Sequence, residues 1–193
     1  MYLGRFVIIG ERTAVYRVSS RSYPNRQIIS RDDRLTVVPT SEAPQTDSPY
    51  ISYNCIRQGG ERVVIGNGSH VDPIAEKLDR GYPTRDALAE ALLALDYEKD
   101  DYNTPRIAGV LGSSAYVGII RQDALIIKSV SEPTLVSTYE ADAPTRAELS
   151  LENDVEEIAQ NAYELEYEHP VCAAAVTRQS ETGDVETNIY NGN

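Results

Sequence analysis

The sequence predicts an α+β protein in which antiparallel sheets are covered by helices. Short apolar runs bounded by Gly, Asn and Pro recur along the chain, as strands joined by tight turns require. One stretch, Thr84 onward, instead repeats its apolar residues at helical spacing. The strands also come in batches with two or three helices between them, which is the order of an α+β protein.

Leu3 to Ile9 is an apolar run closed by Gly10, and Thr13 to Ser19 follows a short polar turn, so the chain opens on a predicted β-hairpin. Arg34 to Val38 reads as a strand, and Ser41 to Pro49, with Pro44, Asp47 and Ser48, as a loop. Ile51 to Arg57 and Arg62 to Ile65 flank Gln58-Gly59-Gly60-Glu61, a second hairpin whose Gly pair is expected to supply positive φ. Gly66-Asn67-Gly68-Ser69-His70 is then a flexible loop before a helix that Asp72 caps, Pro73 begins and Gly81 ends. In the next helix Leu88, Ala91, Leu92 and Leu95 share one face, and the pattern runs to about Glu98. Ile107 to Leu111, Ala115 to Arg121 and Ala124 to Val130 read as an antiparallel meander. Leu151 to Tyr163 is an acidic helix, Val171 to Thr177 and Val185 to Tyr190 are strands, and Asn191-Gly192-Asn193 is a frayed end. No internal repeat or dividing linker interrupts residues 1–193, so one domain is expected, large enough to bury roughly 70% of its unfolded surface.

Composition narrows the function. The chain carries 15 Arg and 3 Lys against 30 Asp plus Glu, a net charge of -12. That balance opposes binding to nucleic acid, whose partners present a basic face. It resembles proteins adapted to a high-salt cytoplasm, where charges are screened over ~3 Å at 1 M; an ordinary acidic protein is the alternative. No apolar run approaches the ~20 residues of a membrane span and MYLGRFVIIGER lacks the features of a signal peptide, so a cytoplasmic location is expected. Cys55 and Cys172 fit no metal spacing and read as small buried hydrophobes. With His70 and His169 as its only histidines, the chain has no multi-histidine metal site.

Four polar clusters stand at element ends. In YRVSSRSYPNR, Arg21 and Arg26 offer planar donor forks that match phosphate, with Asn25 as a neutral donor; a solvated loop is the other reading. Gly66-Asn67-Gly68-Ser69 lets backbone N–H groups approach an anion ahead of a helix, although it lacks a Walker lysine and serves equally as a tight turn. In SYNCIR, Tyr53 and Asn54 lie on a strand, where a lone Tyr is commonly a core or rim residue. DYEKDDYNTPR reads as a solvated helix end, except that Lys99 and Arg106 lie beside Glu98, and a carboxylate among cations can serve as a base or orienting group. The clusters together describe an anionic small-molecule site.

MYLGR, YRVSSRSYPNR, YNCIR, NGSH, ALDYEKDDYNTPRIA, STYE and HPVCAAA, in that order, resemble the archaeal-type IMP cyclohydrolases across nearly the whole chain. The resemblance implies the last step of purine synthesis: ring closure of 5-formamidoimidazole-4-carboxamide ribonucleotide (FAICAR) to inosine monophosphate (IMP) with loss of water. The enzyme class implied is the cyclic amidine hydrolases. The implied fold is a four-layer αββα sandwich similar to the N-terminal nucleophile hydrolases. Here Met1 is followed by Tyr2, so amidase activity is not expected with it. No metal or organic cofactor is implied. A homo-oligomer is, with a tetramer among the options, and neither nucleic acid nor membrane is an expected partner.

By the same resemblance the catalytic candidates are Arg26, Tyr53 and Glu98: Glu98 handles the proton, Tyr53 meets the reacting amide, and Arg26 stabilises developing negative charge. Arg21, Asn25, Asn54, Asn67, Ser69, Lys99 and Arg106 are candidates for holding phosphate, ribose or base. Arg21 is expected on the phosphate, with Arg17 facing elsewhere on its strand. A non-catalytic purine-nucleotide-binding module and an amide hydrolase of the related fold are the alternatives. The hydrolase would need an exposed N-terminal nucleophile.

Overall fold

FVII at Phe6–Ile9 and TAVYRVS at Thr13–Ser19 are buried at every position in the computed structural model, which describes residues 1–179 and 182–192. Successive strand side chains point to opposite faces, so such runs need cover on both sides of their sheet. The described elements supply it. In chain order they are β1 (Phe6–Ile9), β2 (Thr13–Ser19), β3 (Arg26–Arg31), β4 (Arg34–Pro39), β5 (Tyr53–Gly59), β6 (Arg62–Gly66), α1 (Val71–Asp79), α2 (Thr84–Leu95), β7 (Arg106–Leu111), β8 (Ala115–Ile120), β9 (Leu125–Val130), β10 (Thr134–Ser137), β11 (Thr145–Arg146), α3 (Val155–Glu164), β12 (Pro170–Arg178) and β13 (Val185–Tyr190).

One antiparallel sheet has the order β11-β10-β1-β2-β12-β13 and the other β3-β4-β5-β6-β7-β8-β9. Val7, Ile9, Tyr16 and Val18 pack with Ile28, Val37, Ile65 and Ile107 between the sheets. Phe6, Ile8 and Val15, on the opposite face, pack against Ile158, Ala159 and Ala162 of α3. Val64 and Val110 of the second sheet meet Ile74, Leu88 and Ala91 of α1 and α2. These layers make the expected αββα sandwich.

Several local expectations change. β3 is an edge strand that the sequence hides, because its polar residues Arg26, Gln27, Ser30 and Arg31 break any apolar run. β10, of four residues, and β11, of two, are hidden because they are short. In the β5–β6 turn only Gly60 adopts positive φ, at 60°; Gly59 is needed because a Cβ there would lie 2.7 Å from the Ala75 carbonyl. Asp72 does not cap α1, which begins at Val71, but bonds Asn54 and Arg57 from within the first turn. The loop before α1 is fixed rather than flexible, since Asn67 donates to the Pro105 carbonyl and accepts from the Ile107 N–H. α2 ends at Leu95, where Asp96 turns the chain at φ 56°, so Glu98 is not helical. α3 starts at Val155 because Asp154 caps it, accepting from the Glu157 N–H at 2.9 Å. Asn191 is not frayed: it exchanges hydrogen bonds of 2.8 and 3.0 Å with the Ile28 backbone, while Asn193 lies outside the described residues. Among the described residues no helix is long and apolar enough to cross a membrane.

Candidate functional site

Antiparallel pairing sends the starts of β1, β3, β5, β7 and β12 and the ends of β2, β6 and β10 to one end of the sandwich. Polar residues at those ends therefore converge although the chain scatters them. They surround a cleft of about 560 Å³ lined by Arg5, Arg21, Arg26, Tyr50, Glu98 and Tyr139, among others.

Glu98 is the most buried acid of the site, 1% exposed. The DYEKDDYNT loop holds it there. Asp100 folds the loop by accepting from the N–H and hydroxyl of Thr104 at 2.9 and 2.6 Å, Asn103 takes φ 50°, and the Glu98 N–H donates to the Thr104 carbonyl at 2.8 Å. Asp and Asn tolerate such turns better than most residues. Arg5, just before β1, grips the carboxylate in a two-pronged ion pair, Nη1 to Oε1 at 3.0 Å and Nη2 to Oε2 at 2.7 Å. The geometry is that of a charge-assisted fork, the strongest form of this contact. Nη1 also donates to the Asn67 carbonyl at 3.2 Å. Burial pulls the Arg5 guanidinium down, but the Glu98 carboxylate together with Tyr53 and Tyr16 outweighs it, and the group sits well above its ordinary value.

Two buried tyrosines lie near Arg5. The hydroxyls of Tyr16 in β2 and Tyr53 in β5 meet across the sheets at 2.6 Å. Burial raises Tyr53, against the nearby charges of Arg5 and Arg26. Burial, then the neighbouring Tyr53, raises Tyr16 still further. Both hydroxyls consequently keep their protons at neutral pH, and in their mutual bond one donates and the other accepts. Arg26 opens β3 at 7% exposure, its Nε donating to the Tyr23 carbonyl at 3.0 Å.

The remaining candidates divide. Arg21 lines the cleft at its rim, held by Glu168 at 3.0 Å and lying 4.2 Å from the Tyr2 ring centroid. Arg106 stands behind Glu98, its Nε on the Asp96 carbonyl at 2.8 Å and its Nη1 4.0 Å from Glu98 Oε1. Asn25 reaches the Glu42 carbonyl at 3.2 Å. Asn54 turns to the α1 side, between Thr36 and Asp72, and Asn67 is spent on the backbone contacts described above. Ser69 is exposed, and Lys99 pairs with Asp96 at 2.5 Å, 3.3 Å from the Tyr97 ring centroid. Of the predicted site residues, Arg21, Arg26 and Glu98 line the cleft, and Asn25, Tyr53, Asn54, Asn67, Ser69, Lys99 and Arg106 do not; Tyr53 is buried next to it. Cys55 and Cys172 are free and buried, and burial pushes Cys172 up to about 12.

Sequence reasoning missed Arg5 and Tyr16. Arg5 closes the MYLGR stretch and abuts a fully buried strand, but nothing local marks it as the partner of a carboxylate. Tyr16 could have been found from strand period, since it shares a face with Ala14 and Val18, and a core tyrosine hydroxyl needs a partner.

A family model described as "IMP cyclohydrolase-like protein" matches residues 2–183. A protein of Haloquadratum walsbyi named IMP cyclohydrolase is 82% identical, covering 100% of both chains. One so named from Natronomonas pharaonis is 58% identical over 100% of both. Another, from Methanocella arvoryzae, is 45% identical over 100% of this chain and 99% of its own.

Proposed function

The chain belongs to the IMP cyclohydrolase-like family, and we propose on that footing that it closes the ring of FAICAR to give IMP and water. In reverse this is hydrolysis of a cyclic amidine, the reaction class assigned here. Full-length likeness to proteins bearing that name supports the assignment. The single structural observation that carries it is the buried Arg5–Glu98 fork lining the cleft.

The chemistry needs three kinds of help. The carboxamide nitrogen attacks the formyl carbon and gives up one proton. The formamide nitrogen gives up a second as the new double bond forms, and the formyl oxygen leaves with both as water. Glu98 is the one carboxylate fixed deep in the cleft, so it receives and returns the proton; assistance of this kind is worth about 10²–10⁴ in rate. Tyr16 donating to Tyr53 leaves the Tyr53 hydrogen for the formyl oxygen as charge gathers there. Arg26 supplies positive charge on the same side, and Arg21 at the rim takes the phosphate. Arg5 orients Glu98 and keeps both of its oxygens in place.

The reading treats residues 1–193 as one domain of a cytoplasmic homo-oligomer, which sedimentation at molar salt would test. For activity, purified protein is mixed with FAICAR and IMP is followed by absorbance at low and at molar salt. Product is expected in at least one condition, and its absence in both overturns the function. Glu98→Gln should slow turnover at least about ten-fold without unfolding the chain. Retained activity would remove Glu98 from the mechanism.

A further inference from the structure

Behind the Arg5–Glu98 fork, two buried polar atoms have no hydrogen-bond partner among the described residues: Arg106 Nη1 and His70 Nδ1. The two residues are 5% and 0% exposed. They face the same point. A Cβ built on Gly68 would stand 2.7 Å from Arg106 Nη1, 3.4 Å from His70 Nδ1 and 3.4 Å from Glu98 Oε1. Glycine is thus what lets Arg106 sit against the backbone here, and a methyl group would push it from its seat.

The three atoms have complementary hydrogen-bonding roles. His70 Nε2 lies 2.8 Å from the Ile107 carbonyl, which can only accept, so Nε2 carries the hydrogen and Nδ1 offers a lone pair. Burial and then the Arg106 and Arg5 charges push the imidazole down to about 3, against the bond to Ile107, which keeps it neutral in ordinary buffers. Arg106 Nη1 can only donate and Glu98 Oε1 only accept, and at 4.0 Å they are too far apart to bond directly. A gap of that length between buried polar groups is what a bridging water spans, and buried waters typically make about three hydrogen bonds.

We propose that Arg106, His70 and Glu98 bind one internal water beside Gly68, and that through it His70 is a positioning residue for the Glu98 carboxylate. The water accepts from Arg106 Nη1 and donates to His70 Nδ1 and Glu98 Oε1. Arg5 then fixes the carboxylate from one side and the water from the other. The proposed role of His70, though not the water itself, rests on Glu98 being the proton-handling group.

A crystal structure resolving ordered water tests the site. A single water at about 2.7–3.2 Å from all three atoms is expected, and direct contact of Arg106 Nη1 with Glu98 Oε1, with no water, would overturn it. Two variants test the role. His70→Gln keeps a donor for the Ile107 carbonyl but removes the Nδ1 acceptor, whereas His70→Asn keeps an acceptor near Nδ1 and loses the Ile107 bond. His70→Gln should lower kcat about ten-fold with KM within about two-fold, and His70→Asn should recover most of kcat despite lower thermal stability. Activity following stability instead, with His70→Asn the poorer enzyme, would make His70 merely structural. Wild-type turnover in Glu98→Gln would sink the reading of Glu98 while leaving the crystallographic result intact, so the two failures are distinguishable.

Discussion

Arg5 and Arg17 stand almost side by side, since Arg17 pairs in register with Phe6, yet they do opposite work. Arg17 is 0% exposed and spends its guanidinium on three carbonyls at the end of α3: Ala162 at 3.1 Å, Leu165 at 2.9 Å and Tyr167 at 2.6 Å. It caps the negative pole of that helix, and burial lowers it to about 10, still charged at neutral pH. Arg5 faces a carboxylate at the cleft instead. An arginine among neutral acceptors holds the scaffold together, whereas the one that fixes a buried carboxylate at the cleft would, on the proposed function, ready it for proton transfer.

Breaking each contact should separate those roles. Arg5→Met is expected to lower kcat about 10³-fold, since the carboxylate loses both its orientation and its counter-charge. It should also destabilise the fold by about 3 kcal/mol, because the buried Glu98 loses its directly bonded counter-charge. Adding Glu98→Gln should restore part of that stability but no activity. Recovery of turnover in the double variant would refute the assigned roles. Arg17→Met is the smaller effect on function: about 3 kcal/mol lost in denaturant unfolding from orphaned carbonyls, with kcat of the folded fraction within about two-fold. A kcat defect as large as that of Arg5→Met would erase the distinction.

His70 sharpens the comparison by showing what the cationic surroundings of Glu98 cost. Burial first, and then the Arg106 and Arg5 charges, push its imidazole down to about 3, against 6.5 when unfolded. Between these values the unfolded chain binds a proton that the folded chain refuses. Stability from this group is therefore full above about pH 6.5 and falls toward pH 3, by up to about 1.4 kcal/mol per pH unit. His70→Gln, which cannot titrate there, should flatten the acid limb of a stability–pH curve by that slope; an unchanged limb would show that His70 is not held neutral.

The layers of this fold were legible because doubly buried strands such as FVII and RIAGVL leave continuous apolar runs, and Thr84–Leu95 leaves a helical stripe. The edge strand β3 was not, since an edge can carry Gln27, Ser30 and Arg31 toward solvent without penalty. Of the site, Glu98 and Arg26 were visible as members of polar clusters, and both line the cleft. Arg5 and Tyr16 were not, because each is defined by a partner far along the chain: Glu98 lies 93 residues from Arg5 and Tyr53 lies 37 from Tyr16. The same distance hid the commitment of Asn67, whose side chain ties the loop before α1 to β7. Local spacing reports faces and turns, and it is silent about which polar ends the topology gathers.

Arg21 gives the smallest and most specific test. It is more than half exposed, its ion pair with Glu168 contributes little in water, and it stacks on Tyr2 at the rim of the cleft. Arg21→Ala should leave unfolding nearly unchanged. It should raise KM for the ribonucleotide about ten-fold while leaving weak binding of the corresponding nucleoside as it was, because only the ribonucleotide carries the phosphate that the guanidinium fork matches. Salt should narrow the difference between variant and wild type, as it screens an exposed ion pair. Equal loss for nucleotide and nucleoside would move Arg21 off the phosphate and leave it, with Glu168, as ordinary surface.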